Sequence, residues 1–91
     1  MNAKQIAEEI KRAARATQWK HGTDRAYIHG VYVEADLNYS PKEFKSVLVY
    51  LRRHGLVRLT RADLRSAMDQ RLLGLGRTVD GDSEFDFVVV E

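Results

Sequence analysis

Residues 40–60, SPKEFKSVLVYLRRHGLVRLT, hold a helix start, a helix stop and the opening of a strand. Ser40 is a favoured N-cap, and Pro41 suits the first helical position, where its missing N–H goes unused. Glu43 completes a capping box. Phe44, Val47, Leu48 and Leu51 recur at i, i+3, i+4 and i+7, which predicts a helix over 41–54 with these four residues buried. Gly55 is the expected left-handed residue just past the helix, and Leu56 is the apolar residue that packs back after it. LVRLT then predicts a strand over 56–59, with Val57 and Leu59 on one side and Arg58 on the other.

A turn of about 100° per residue fixes what this helix shows to water. Lys42, Lys45, Ser46, Val49 and Arg53 fall on the outer face, with Arg52 on one flank and Tyr50 on the other. These are residue types that a DNA reader uses. Arg bonds guanine in bidentate fashion, Ser bonds a base or a phosphate, and Val meets a thymine methyl. Lys42 and Lys45, near the helix start, suit phosphate, where the helix dipole also favours anions. The same face admits a plainer reading. Exposed Lys and Arg are often only solvated, and Val49 beside Tyr50 also fits a protein contact.

Working outward, residues 3–18 predict a helix rich in Ala, Lys, Glu, Gln and Arg, with an apolar stripe of Ile6, Ile10, Ala13, Ala14 and Thr17. Trp19 is expected to fold back onto the core, and Gly22 in HGTDR to break the chain. AYIHGVYVEADLNYS fits both a helical stripe and a strand alternation; the favoured reading is a strand at 26–28, a helix at 29–35 and a turn at DLNYS. TRADLRSAMD predicts a capped helix over 61–68, with Leu64, Ala67 and Met68 as its stripe. The following segment reads as a long loop with a turn at Asp80-Gly81. Over 85–90, Phe85, Phe87 and Val89 alternate with Asp86, Val88 and Val90, which predicts a terminal strand paired antiparallel with 56–59.

The chain has 91 residues, the length of one domain, and is 44% hydrophobic and 31% charged. A domain this small has little room for a deep active-site cavity. With no cysteine, it has neither a disulfide framework nor a thiolate metal site, which fits a reducing cytoplasm. The N-terminus lacks the apolar core of a secretory signal, and no apolar run is long enough to span a membrane. The net charge of +2 is only mildly basic, but its distribution is uneven. Residues 11–77 hold 14 of the 15 Lys and Arg, whereas 80–91 hold five acids and no Lys or Arg. A polyanion is expected to avoid that end.

The helix pair joined by DLNYS, the capped helix SPKEFKSVLVYLRRHGL and the strands LVRL and EFDFVVV together resemble a winged helix-turn-helix domain. The resemblance is architectural, rests on no unique short motif and covers nearly the whole chain. It implies a single α+β domain over 1–91, with a three-helix core and an antiparallel β-hairpin. Helix 41–54 would be the recognition helix, and residues 60–84 an extended wing that contains its own helix. The wing departs from the family pattern in ending on the acidic DGDSEFD, which leaves Arg61, Arg65, Arg71 and Arg77 nearer its base as phosphate contacts. The expected DNA-binding set is then Lys42, Lys45, Ser46, Val49, Arg52, Arg53, Arg61 and Arg77.

Two functions remain open on these residues. One is a small DNA-binding regulator that acts on double-stranded DNA, on its own or as a homodimer. The other is a winged helix used for protein contact or assembly without touching DNA, since fold alone does not decide function. Neither needs a cofactor, a small-molecule ligand or a membrane, and no enzyme activity is expected. His21, His29 and His54 are scattered and form no metal motif. DGDSE lacks the length and terminal Glu of a calcium loop, and GLG at 74–76 lacks the Lys of a phosphate loop.

Overall fold

A computed structural model of the chain describes residues 1–18, 24–62 and 69–90. The expectations for Trp19 and for the break at Gly22 lie outside the described residues, as does the 63–68 part of the helix expected over 61–68; its first two residues, Arg61 and Ala62, are described and are not helical.

Helix α1 spans Ala3–Ala16 and ends two residues earlier than its composition suggests. Asn2 caps it: its side chain accepts the Gln5 N–H at 2.9 Å, and the Gln5 side chain accepts the Asn2 N–H at 2.9 Å. This capping box went unread because Asn and Gln stand in for the commoner Ser and Glu. The buried stripe is Ala7, Ile10, Ala13 and Ala14. Its small residues let the next helix lie close, and Arg12 reaches across to the Glu34 carboxylate at 3.7 Å.

The ambiguous stretch becomes a strand and then a helix, as expected, one residue early. Strand β1 is Arg25–Tyr27 and helix α2 is Ile28–Ala35. The turn that follows begins at Asp36, which takes a left-handed φ of 48°. The Tyr32 hydroxyl donates to the Tyr39 carbonyl at 2.7 Å, and its ring packs on Phe44 at 5.2 Å between centroids. These contacts fix the approach of helix α3, Pro41–Arg53.

Helix α3 forms as the spacing predicts. The Ser40–Glu43 capping box is closed in both directions. At the other end, the Leu56 N–H reaches the Leu51 carbonyl at 2.9 Å and the Gly55 N–H reaches that of Arg52 at 3.0 Å. Gly55 has φ of 70°. This is the Schellman pattern, in which a left-handed residue satisfies the last carbonyls. Phe44, Leu48 and Leu51 are buried, but Val47 is only half-buried.

The turn consumes residues expected in the next strand, so β2 is Leu59–Thr60 rather than 56–59. Backbone pairing begins one residue earlier, where the Arg58 carbonyl accepts from Val89 N–H at 2.9 Å.

The largest departure lies where a long loop was expected. Asp69 caps a helix α4, Gln70–Gly76, by accepting from the Arg71 and Leu72 N–H groups. Strands β3, Thr78–Asp80, and β4, Ser83–Phe85, then form an antiparallel hairpin. Its turn falls at the Asp80-Gly81 signal, with Gly81 at φ of 61°.

The predicted terminal strand is split. Its first part belongs to that hairpin, and β5, Phe87–Val89, pairs antiparallel with both β1 and β2, giving the sheet order β1-β5-β2. Arg25 faces Val89, and Thr60 faces Phe87. The division falls at Asp86. Its carboxylate is buried and accepts the Ala62 N–H at 2.8 Å, while its own N–H donates to the Thr60 carbonyl. The simple alternation therefore fails: Phe85, Asp86, Phe87 and Val88 are all buried.

The protein is thus a small α+β domain with antiparallel sheets. A core of Ile10, Ile28, Phe44, Leu48, Leu51 and Val88 lies between α1, α2, α3 and the central strand. Among the described residues, no helix is long and apolar enough to cross a membrane.

Candidate functional site

Helix α3 is held from behind by its buried face, so its outer face is presented by a rigid element. Lys42, Ser46, Arg52 and Arg53 are exposed, and Lys45 and Val49 are half-exposed. The β3–β4 hairpin lies alongside this face. Between helix and hairpin runs an open groove lined by Lys42, Lys45, Ser46, Val49, Arg77 and Val79. Five of the eight residues singled out from the sequence therefore meet in one place, with Val49 and the exposed Val79 as the apolar part of the lining. Ser46 donates its hydroxyl to the Lys42 carbonyl at 3.3 Å and keeps its acceptor capacity. Arg61 is exposed beyond β2 and does not line the groove.

Arg52 and Arg53 stand at the far end of α3, where they meet an acid from the hairpin. The Arg53 Nε donates to Asp80 Oδ2 at 3.3 Å, and its Nη2 donates to Oδ1. Arg52 Nη1 donates to the same Oδ2 at 3.3 Å. The Arg52 guanidinium also lies 4.4 Å from the centre of the Phe85 ring, within cation–π range. The Asp80 side chain is only 9% exposed. Its hydrogen bond from Arg53, together with the two guanidinium charges, holds its carboxyl below the usual range against the opposing pull of desolvation. The same hydrogen bond raises Arg53 further.

This pairing could not be read from the sequence. Asp80 lies 27 residues from Arg53, and its local signal was only a turn. Glu84 pairs in the same way with Arg77 across the hairpin. The acids expected to hold a polyanion away from the hairpin are thus partly consumed by arginines. The charge left over follows: two arginines against Asp80 leave one positive charge, and Arg77 against Glu84 leaves none. Lys42 and Lys45 have no ion-pair partner among the described residues and carry the groove's undiminished positive charge.

A second depression lies between α1 and α3. It is lined by Ala3, Ile6, Ser46, Val47, Tyr50 and Leu51, which explains why Val47 is not fully buried. Tyr50 is 53% exposed at its edge and lies close to His54, at 4.3 Å between ring centroids. His29 is in α2 and His54 caps α3. Among the described residues, no group of three His, Asp or Glu side chains converges as a metal site.

Family models, curated proteins and solved structures were compared with the chain, and none matches it.

Proposed function

We propose that the chain is a winged helix-turn-helix domain that binds double-stranded DNA through the outer face of α3, as a small DNA-binding regulator. The fold reading is supported by the succession α1, β1, α2, α3, β2 and by the return of β5 between β1 and β2. In that arrangement α3 is the recognition helix, and the segment from β2 to β5 is an enlarged wing.

The observation that carries the binding reading is the groove in which Lys42, Lys45, Ser46 and Arg77 converge beside the first turns of α3. Phosphates would pair with Lys42 and Lys45, while Val49 and Arg53 would face the base edges. The open groove suits a duplex better than a single strand, because among the described residues its lining offers no aromatic platform on which bases could stack.

A second reading, protein contact, is favoured by the apolar depression between α1 and α3 with the exposed Tyr50 at its edge. The two are separated by titrating a labelled mixed-sequence duplex at two salt concentrations. DNA binding through lysines predicts a steep fall with salt and a weaker slope, by about one unit, for Lys42→Ala. If wild type does not bind the duplex at low salt, the DNA reading is lost and the protein-contact reading takes its place.

A further inference from the structure

We infer that Asp80 is a positioning residue that presets Arg53 to read guanine in duplex DNA, an inference that rests on the DNA-binding reading above. A guanidinium has two edges that can donate a pair of parallel hydrogen bonds: Nε with Nη2, and Nη1 with Nη2. Asp80 takes up the first edge of Arg53 through both carboxylate oxygens. The second edge has no partner among the described residues, and the side chain is 64% exposed. Arg53 therefore keeps one complete fork pointing away from its clamp.

The clamp is itself held. Asp80 sits in β3 opposite Ser83, its side chain is nearly enclosed, and Arg52 bonds the same oxygen while stacking on Phe85. A long side chain at the end of an exposed helix would otherwise sample many rotamers. Fixing it beforehand removes that cost from the binding step.

The choice of guanine over phosphate follows from charge. Two oxygens of a phosphate and the O6/N7 edge of guanine both fit a bidentate fork. The Asp80 carboxylate cancels one of the two positive charges at this spot and repels a second anion. It leaves the directional donors of Arg53 intact. A neutral acceptor pair therefore gains on a phosphate. Lys42 and Lys45, which have no such acid, remain the phosphate contacts. In this division, α3 anchors with its first turns and reads with its last.

The test uses wild type, Asp80→Asn and Arg53→Lys, each checked for the native circular dichroism spectrum. A pool of duplexes randomised over about one helical turn, roughly 10 base pairs, is selected on wild type. All three proteins are then titrated with the selected duplex and with copies in which each G·C pair is replaced in turn. The expected result is one position at which wild type prefers guanine by about 5- to 150-fold. Both variants should lose that preference, and Asp80→Asn should bind the replaced duplex more tightly, because a repelling carboxylate is gone. The inference is overturned if Asp80→Asn keeps the preference, since Asp80 would then only mask charge. It is also overturned if wild type binds duplexes with no preferred guanine, which leaves the DNA reading standing. Absence of any wild-type binding removes both. Should Asp80→Asn loosen the hairpin, Arg53→Lys still decides: it keeps the charge, and an undiminished preference in that variant rules out the fork.

Discussion

Gly76 and His29 touch where α4 crosses α2: a β-carbon on Gly76 would lie 2.9 Å from the His29 backbone nitrogen and 3.0 Å from the Ile28 β-carbon. Neither atom belongs to a flexible side-chain end, so the backbone would have to move. Gly76→Ala should cost about 1–3 kcal/mol, as overpacking does. Gly74, two residues earlier in the same helix, meets nothing within 4 Å. Gly74→Ala should instead leave stability unchanged or raise it by up to about 1 kcal/mol. Urea denaturation of the two variants checks the pair. Equal losses would mean that α4 does not lie against α2 as described.

The phase of α3 sets which residues a partner can reach. Leu48 is fully buried, whereas Val49 is half-exposed in the groove. Leu48→Ala should cost about 2–5 kcal/mol. Val49→Ala should cost under about 1 kcal/mol. Chemical denaturation measures both, and similar losses would place the groove face inside the core.

The Asp80 clamp has a defined pH window. Its carboxyl is held low in the folded protein by Arg53, so the unfolded chain takes up a proton first as pH falls. The clamp's contribution is then complete above the unfolded carboxylate value of about 3.9 and fades as pH drops through the lower folded value. Wild type should exceed Asp80→Asn in urea midpoint by the same margin from pH 7 down to about 5. The margin should then narrow and vanish in stronger acid. A margin that grows on acidification would contradict this sign.

Local signals made the first half of the fold legible. Ser40, Glu43 and Gly55 mark both ends of α3 within a few residues of chain, and its apolar spacing identified Phe44, Leu48 and Leu51 as core. The boundaries of β2 shifted because Leu56 is used by the helix stop, a claim on the residue that strand propensity does not register. The second half was less legible. Helix α4 is short, and its LLGLG run reads as a loop; Gly76 is there for closeness to α2, a tertiary reason. Asp86 looked like the polar half of an alternating strand, but it serves the Ala62 backbone 24 residues away. The candidate groove was legible on its α3 side and, on the other, at Arg77 alone. Its other wall and the partners of Arg52, Arg53 and Arg77 depend on a hairpin whose only local mark is Asp80-Gly81.

The most direct test of the central claim is a fluorescence-anisotropy titration of duplex DNA with wild type and with the double variant Lys42→Ala/Lys45→Ala, at low and at moderate salt. These two lysines line the groove and take no part in the core or in any described ion pair, so the variant should unfold at the same urea concentration. Binding through the groove lysines predicts that wild type binds, that its affinity falls steeply with salt, and that the variant binds more weakly with a log–log slope smaller by about two units. Binding by the variant that equals wild type at both salt concentrations, or no binding by wild type at low salt, would contradict it.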